Sequence, residues 1–463
     1  MFFSTSFIFP IITSLLYKDG ALSVFLITFS IVFIVGFIGW LMSRNTGEDM
    51  SHKDGFLVIT LFWVVLSSAG SIPFMLSGMT FIDSFFESMS GITTTGATVI
   101  SNLSTLPESL LLYRQLLQWM GGMGLIVLAI AVMPLLGIGG GQLYKTEIPG
   151  AMNDQKLTPR IKETAQALWL IYLLLTVCCA LFYFFAGMNA FDAISHSLST
   201  VSIGGFSTYD QSIGHFNNGM VEAVCIIFML LSALSFTLHY FAFYMKKPIK
   251  YLYDPELRFF ISIMAIIFLL SVLMNYISTQ EQASIRELLF HSVSIVTTTG
   301  FSIGDTNQWS PSIGFLFLIG AFIGACSGSV GGGIKSWRVL IMINYAYINL
   351  KKIIHPNAVI TLKIGTKSVE NDVAASVWGF FSIYVISFII LLLGLVATGL
   401  DFQSAFSAIG ACLNNLGPGL GEVAQTYDSV TTLGKGILSF AMILGRLEIF
   451  TLLVLFTPVF WQK

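Results

Sequence analysis

Apolar residues run along most of this chain in segments longer than a soluble fold can bury, with polar residues confined to short stretches between them. Crossing a hydrocarbon core of about 30 Å takes roughly 20 mostly apolar helical residues. Long apolar segments occupy residues 22–43, 56–77, 115–136, 166–187, 220–244, 258–277, 312–345, 374–398 and 433–460, and a shorter one occupies 5–17. The pattern predicts roughly ten helical spans. On one side of the membrane, four of the connections carry a half-hydrophobic stretch of about 16 residues, too short to cross and suited to a re-entrant loop.

Composition fixes the solvent. Of 463 residues, 55% are apolar and 10% charged, and the mean hydropathy is +0.83, so the bilayer must take up the apolar surface. A net charge of −2 excludes nucleic-acid binding, which needs a basic face. Lys and Arg set the orientation, because positive loops stay in the cytoplasm. With alternating spans, Arg44, Lys53, Lys145, Lys156, Arg160, Lys162, Lys246, Lys247, Lys250, Arg258, Lys335, Arg338, Lys351, Lys352, Lys363, Lys367 and Lys463 share one side, which places both termini in the cytoplasm. Lys18, Arg114, Arg286 and Lys435 fall outside, and Arg446 falls within a span.

The segment at 5–17 is broken by Pro10 and lacks a preceding positive charge and a small-residue cleavage site, so it reads as a retained helix. Cys178, Cys179, Cys225, Cys326 and Cys412 lie in apolar runs without metal-ligand spacing and read as packing residues.

The four outer connections align without a gap: FIDSFFESMSGITTTGAT (81–98), AFDAISHSLSTVSIGGFS (190–207), IRELLFHSVSIVTTTGFS (285–302) and FQSAFSAIGACLNNLGPG (402–419). Each opens with a stretch suited to a short helix and closes on a glycine: Gly96, Gly205, Gly300 and Gly417, spaced by 109, 95 and 117 residues. All four loops enter from the same face, so the repeats are parallel copies and a pseudo-fourfold axis is their natural arrangement.

Backbone that dips into a bilayer from four sides is tolerated only where it lines water or an ion path. Rings of main-chain carbonyls can replace the hydration shell of a monovalent cation, and glycine permits the backbone angles this needs. The short helices would add their negative C-terminal ends to the preference for a cation. Five residues beyond each glycine stand Ser101, Asp210, Asp305 and Glu422; the three acids would form an outer vestibule that concentrates cations, or are ordinary solvated loop acids.

In these loops, TTTGAT, SIGGFS, TTTGFS and NNLGPG, the chain resembles the Trk/Ktr/HKT superfamily of potassium transporters, most closely the TrkH type, over nearly its whole length. The resemblance implies an all-α membrane protein with four parallel helix–pore loop–helix repeats around a pseudo-fourfold pore axis, plus two extra N-terminal transmembrane helices. The corresponding divisions are an N-terminal hairpin at 1–45 and pore repeats at 46–140, 141–250, 251–355 and 356–463.

By resemblance, the potassium filter is lined by Thr94, Thr95 and Gly96; by Ile203, Gly204 and Gly205; by Thr298, Thr299 and Gly300; and by Asn415, Leu416 and Gly417. Gly96 stands where sodium-selective plant relatives carry serine, which favours potassium as the transported ion; no organic cofactor is implied. The family also implies a homodimer with one pore per protomer, a cytoplasmic ring of nucleotide-binding regulatory subunits of the TrkA type, lipid contact, and residence in the bacterial inner membrane. The basic stretches 138–165 and 335–372 are candidates to dock that partner.

GACSGSVGGGIKSW (324–337) interrupts the second span of the third repeat, and Gly328, Gly331, Gly332 and Gly333 break an ordinary helix there. It resembles the family's intramembrane gating loop, with Lys335 beside it. A phosphate-binding loop would need Gly-Lys-Ser after a strand, whereas Ile334 precedes Lys335 within a span. Arg446, a charge at membrane depth, is a functional residue by default. The resemblance places it under the filter, where it repels cations and holds the glycine-rich loop; the bland alternative is a structural pair with Glu448 or with free carbonyls. His196 and His291, matched by Glu87 and Ala408, read as anchors of the short helices, and GIGGG (137–141) reads as a linker.

The chain contains no His-Glu-x-x-His, its Gly-x-Ser-x-Gly match at 300–304 (GFSIG) falls at the end of an aligned loop and not on the strand-to-helix turn of a nucleophile elbow, and its spans hold too few ionisable residues for an acid–base site, so it is not read as an enzyme. The reading is therefore carbonyl-filtered potassium uptake gated by the glycine-rich loop and Arg446. The alternative is a sodium- or proton-coupled cation symporter, a class that commonly shows inverted repeats.

Overall fold

A computed structural model describes residues 1–44, 52–127, 161–278, 283–304, 309–365 and 367–462. Apart from a two-stranded hairpin that pairs Lys363 with Ser368 and Ile364 with Lys367, its regular elements are helical. Among the described residues five helices are long and apolar enough to cross a membrane: Leu22–Ser43, Lys53–Leu76, Ala165–Phe185, Pro255–Ile277 and Asn371–Ala397. Their outer faces leave large apolar side chains such as Ile34, Phe182, Leu269 and Ile390 half exposed or more, as surfaces that meet lipid do.

The count rises to seven if two sharply bent pairs are each one span, against the ten read from hydropathy. The difference lies in length and interruption, and in segment 115–136, of which residues 128–136 lie outside the described residues. Phe2–Tyr17 and Pro311–Ile323 are short, and segment 312–345 is two helices, Pro311–Ile323 and Ser336–Ile354, parted by the glycine-rich stretch.

Two segments that read as uninterrupted spans are in fact broken. Gly219–Ala233 and Phe236–Phe243 meet at 96°, and Thr432–Arg446 and Phe450–Phe456 meet at 111°. No proline or glycine marks either break. The freed backbone groups find partners elsewhere: the Ala233 carbonyl accepts from the Cys326 amide (3.1 Å), and the Phe236 amide donates to the Gly328 carbonyl (3.0 Å). Two interrupted helices thus satisfy each other, the condition for irregular backbone at membrane depth.

Four helices of 12 residues, Phe81–Ile92, Ala190–Val201, Ile285–Val296 and Phe402–Leu413, start at the first residue of each aligned segment. The residue before each is a side-chain N-cap: Thr80, Asn189, Ser284 and Asp401 accept from the amides of Asp83, Asp192, Glu287 and Ser404. These caps satisfy donors that a helix leaves open, and so fix where each begins.

Two large apolar cores flank the loops that follow. One joins residues 167–330, around Tyr172, Phe228 and Phe290; the other joins the N-terminal helices to the first short helix and to residues 380–452. Glycine sets the close approach in the second core. A Cβ on Gly121 would lie 1.8 Å from the carbonyl oxygen of Ile92, and one on Gly445 would lie 2.0 Å from that of Leu413. These are the last residues of the first and fourth short helices.

Candidate ion-conduction site

The loop after each short helix has the same backbone form. Thr94, Ile203, Thr298 and Asn415, two residues before the aligned glycines, have φ of 53°, 54°, 63° and 52°. Gly96, Gly205 and Gly300 have φ of 84°, 79° and 85°, whereas Gly417 lies outside this left-handed region. Four side-chain-bearing residues in a left-handed conformation, one of them a β-branched isoleucine, are strained and persist only where their surroundings hold them. The amides between them do that holding: Thr95, Gly204, Thr299 and Leu416 donate to Ser90, Ser199, Ser294 and Ala411 at 2.8, 2.9, 2.8 and 2.8 Å. Each loop thus turns its N–H groups back onto its own helix.

The four loops touch in cyclic order. A Cβ on Gly96 would lie 2.1 Å from the Gly204 oxygen, one on Gly205 would lie 2.0 Å from the Thr299 oxygen, one on Gly300 would lie 3.2 Å from the Gly417 nitrogen, and one on Gly417 would lie 2.6 Å from the Gly96 oxygen. The twelve residues read as filter are therefore brought together. The carbonyls of Gly204 and Gly417 accept from Gln118 Nε2 (2.6 Å) and the Tyr427 hydroxyl (3.0 Å); the other ten accept no hydrogen bond among the described residues.

All four aligned glycines line one cavity of about 910 Å³ that opens beyond them. Asp210 lines it too, and its Oδ1 accepts from the Leu103 amide (3.0 Å). Glu422 is exposed and lies outside the lining, and Asp305 lies outside the described residues, as do GIGGG and most of 138–165. Among the described residues no cluster of three or more His, Cys, Asp or Glu could hold a metal.

On the other side of the loops lies the glycine-rich stretch. Gly332 donates to the Thr298 hydroxyl (2.7 Å) and Gly333 to the Asn414 carbonyl (3.2 Å), and a Cβ on Gly332 would lie 1.9 Å from that same oxygen. A Cβ on Gly331 would lie 2.9 Å from the Thr297 oxygen. The stretch is pressed against the third and fourth loops with no room for a side chain at its centre. Gly328 and Gly333 have φ of 70° and 82°, and so does Lys335, at 82°.

The Lys335 ammonium donates to the Gly331 carbonyl. Arg446 Nη1 donates to the Val330 carbonyl (3.0 Å), while its Nε and Nη2 have no partner; the residue is 3% exposed and pairs with no carboxylate among the described residues. Glu448 pairs instead with Arg338, whose guanidinium also lies 4.2 Å over Phe380.

Several supporting residues have no local signature in the sequence. Arg114, read as an outer-loop charge, is buried; its Nε is 2.8 Å from Glu87 Oε1, and its Nη1 donates to the Ser207 carbonyl (3.0 Å). Glu87 in turn accepts from Thr98 and from the Val99 amide. Asn415 donates to Thr95 and to the Met442 carbonyl, joining the fourth loop to the first. His196 bonds the Asp192 carbonyl and Ser207, and His291 bonds the Glu287 carbonyl, which ties each ring to its own short helix. Glu87, His196 and His291 each stand nine residues before an aligned glycine, a signal visible in the chain, whereas nothing local marks the partners of Arg114.

The family described as TrkH, cation transport protein, matches residues 21–463. The chain belongs to the TrkH family. Its relatives include the Trk system potassium uptake protein TrkH of Halomonas elongata, 48% identical over 468 residues, and that of Escherichia coli K12, 45% identical over 467 residues; each match covers 100% of this chain and 97% of the relative. The crystal structure of the potassium transporter TrkH from Vibrio parahaemolyticus superposes with a TM-score of 0.91 at 46% identity, covering 100% of this chain and 97% of that one. This TrkH-family chain is therefore an all-helical, membrane-spanning protein.

Proposed function

We propose that the chain is the potassium-conducting subunit of a Trk-type uptake system, with the twelve loop residues as its selectivity filter. One observation carries the reading: ten main-chain oxygens in a closed ring of four loops accept no hydrogen bond among the described residues. Thr94, Thr95, Ile203, Thr298, Thr299, Asn415 and Leu416 are each at most 2% exposed. Unpaired carbonyls at that depth are costly unless water or a cation takes the place of the missing donor. A potassium ion entering the ring would exchange water oxygens for these carbonyls. Four short helices that end at the loops add negative dipole ends.

In the same reading, the glycine-rich stretch and Arg446 form the gate. Gly331, Gly332 and Gly333 fill the space beneath the third and fourth loops, and a guanidinium with no carboxylate partner raises the barrier for a cation. The four loops belong to parallel repeats around one axis, and the cavity beyond them is the outer vestibule, with Asp210 as its acid. The chain resides in the bacterial inner membrane with cytoplasmic termini, acts as a homodimer, and takes a TrkA-type nucleotide-binding ring on its cytoplasmic face. Potassium is cargo, and the reading requires no organic cofactor.

Growth of a potassium-uptake-deficient bacterium at low potassium tests the function. The parent chain restores growth together with its regulatory subunit, and Gly300→Ser raises sodium uptake relative to rubidium. Failure to restore growth, or an unchanged ratio in Gly300→Ser, defeats the assignment.

A further inference from the structure

The four loops differ at the residue before the aligned glycine: Thr95, Gly204, Thr299 and Leu416. Gly204 is not demanded by backbone conformation, because its φ lies outside the left-handed region that needs glycine. It is demanded by a neighbour. A Cβ there would lie 2.3 Å from both Cδ and Oε1 of Gln118 and 2.7 Å from its Nε2.

Gln118 is fully buried on the helix Glu108–Val127, and both ends of its amide are hydrogen-bonded. Nε2 donates to the Gly204 carbonyl (2.6 Å), and Oε1 accepts from the Ser199 hydroxyl (2.7 Å) and the Phe206 amide (3.2 Å). The Phe206 N–H is an unambiguous donor and the Gly204 carbonyl an unambiguous acceptor, so only one orientation of the amide fits. This side chain, contributed by the first repeat, therefore clamps the loop of the second.

The clamp makes one level of the ring unequal. The Gly204 oxygen lies against Gly96 much as the Thr299 oxygen lies against Gly205, at 2.1 and 2.0 Å from the respective Cβ positions. Only Gly204 carries an amide donor at this level; the carbonyls of Thr95, Thr299 and Leu416 accept no hydrogen bond among the described residues. We infer that Gln118 is a positioning residue for ion selection, which holds the Gly204 carbonyl in place and weakens it as a cation ligand. The inference rests on the filter reading above.

An amide proton beside a carbonyl oxygen opposes a cation approaching the same oxygen, and the hydrogen bond also keeps the oxygen from moving inward. Both effects disfavour the smaller ion, which needs stronger and closer ligands. Without the donor, the Gly204 oxygen gains field strength and freedom, and sodium gains on potassium.

The test compares Gln118→Leu and Gln118→Glu with the parent chain and with Gly300→Ser, all in the full-length protein. Relative sodium and rubidium flux is read in proteoliposomes, alongside thermal melting in detergent. Gln118→Leu raises the sodium-to-rubidium ratio about threefold to tenfold, the scale of one hydrogen bond's net worth. Gln118→Glu keeps the shape: as a carboxylate it cannot donate and the ratio rises, and as a neutral acid at low pH it donates again and the ratio returns to that of the parent. A merely structural role would lower melting temperature without moving the ratio or making it pH-dependent, and that result overturns the inference. An unchanged ratio in Gly300→Ser as well would remove the filter reading itself, whereas a changed ratio in Gly300→Ser alone removes only the role of Gln118.

Discussion

Arg446 donates through Nη1 to the main-chain oxygen of Val330 at 3.0 Å, joining the helix Thr432–Arg446 to the glycine-rich stretch. A buried cation thus holds the backbone of the glycine-rich stretch, while its Nε and Nη2 have no hydrogen-bond partner among the described residues. The charge and the glycine-rich stretch are one assembly, and removing the side chain disturbs both.

Arg446→Ala is expected to raise rubidium flux about tenfold, corresponding to a barrier lower by roughly 1.4 kcal/mol. Arg446→Lys keeps a cation at that depth and is expected to remain close to the parent. Rubidium uptake in proteoliposomes measures both, and equal flux in parent and Arg446→Ala speaks against an electrostatic barrier there.

Gly332→Ala places a methyl group 1.9 Å from the Asn414 oxygen, a contact no side chain makes. Because that neighbour is backbone, the glycine-rich stretch must move rather than the loop's side chains adjust. Raised basal rubidium flux is the expected outcome, with a loss of about 1–3 kcal/mol in stability from overpacking. Normal resting flux in a well-folded Gly332→Ala protein would show that the stretch does not close the path.

The Arg114–Glu87 pair is buried on both sides, at 1% and 0% exposure. Removing one partner leaves an uncompensated charge, so Arg114→Met is expected to cost about 3–5 kcal/mol. The double variant Arg114→Met with Glu87→Leu is expected to lose less than the sum of the two single variants. Thermal melting of all four proteins in detergent closes the cycle; strict additivity contradicts a coupled pair.

Asp19, in the connection between the first two helices, accepts from the Ala21 amide (3.1 Å), the Ser109 amide (2.8 Å) and the Ser14 hydroxyl. Partial burial pushes its carboxyl up, but the hydrogen bonds from Ser109, Ser14 and Ala21 outweigh that and hold it below its ordinary value. A depressed carboxyl stabilises the fold above the unfolded-state value and loses that contribution as pH falls through the folded-state value. Asp19→Ala is expected to cost about 1 kcal/mol at neutral pH, shrinking towards zero under strongly acid conditions. Melting measured against pH follows it; a difference that grows on acidification contradicts the assignment.

How much of this was legible depended on whether the cause was local. The short helices start where the ungapped alignment of 81–98, 190–207, 285–302 and 402–419 begins, because cap, helix and glycine lie within 17 residues of one another in each segment. The glycine-rich interruption was equally plain, since Gly328 and Gly333 are local breakers.

The breaks at Leu234–Ser235 and Leu447–Ile449 were not legible. The first depends on Cys326 and Gly328, roughly ninety residues away in sequence, and the second places Glu448 and the β-branched Ile449 at φ of 54° and 56°. Such strain is imposed from outside the segment. Gln118 and Arg114 escaped for the same reason: their partners, Gly204 and Ser207, lie 86 and 93 residues further along the chain. Hydropathy reports that a helix is apolar, and says nothing of which polar residue on it faces inward.

The cyclic contact of Gly96, Gly204, Gly205, Thr299, Gly300 and Gly417 is made by one polypeptide. In an assembly of four identical chains, every substitution is copied fourfold and symmetry is preserved. Here a single codon changes one quadrant, so Gln118 can grip one carbonyl and Tyr427 another while the remaining quadrants stay as they were. Mutational drift in such a ring proceeds by graded steps, each a fraction of the change that a symmetric assembly would suffer, and the quadrants are free to specialise.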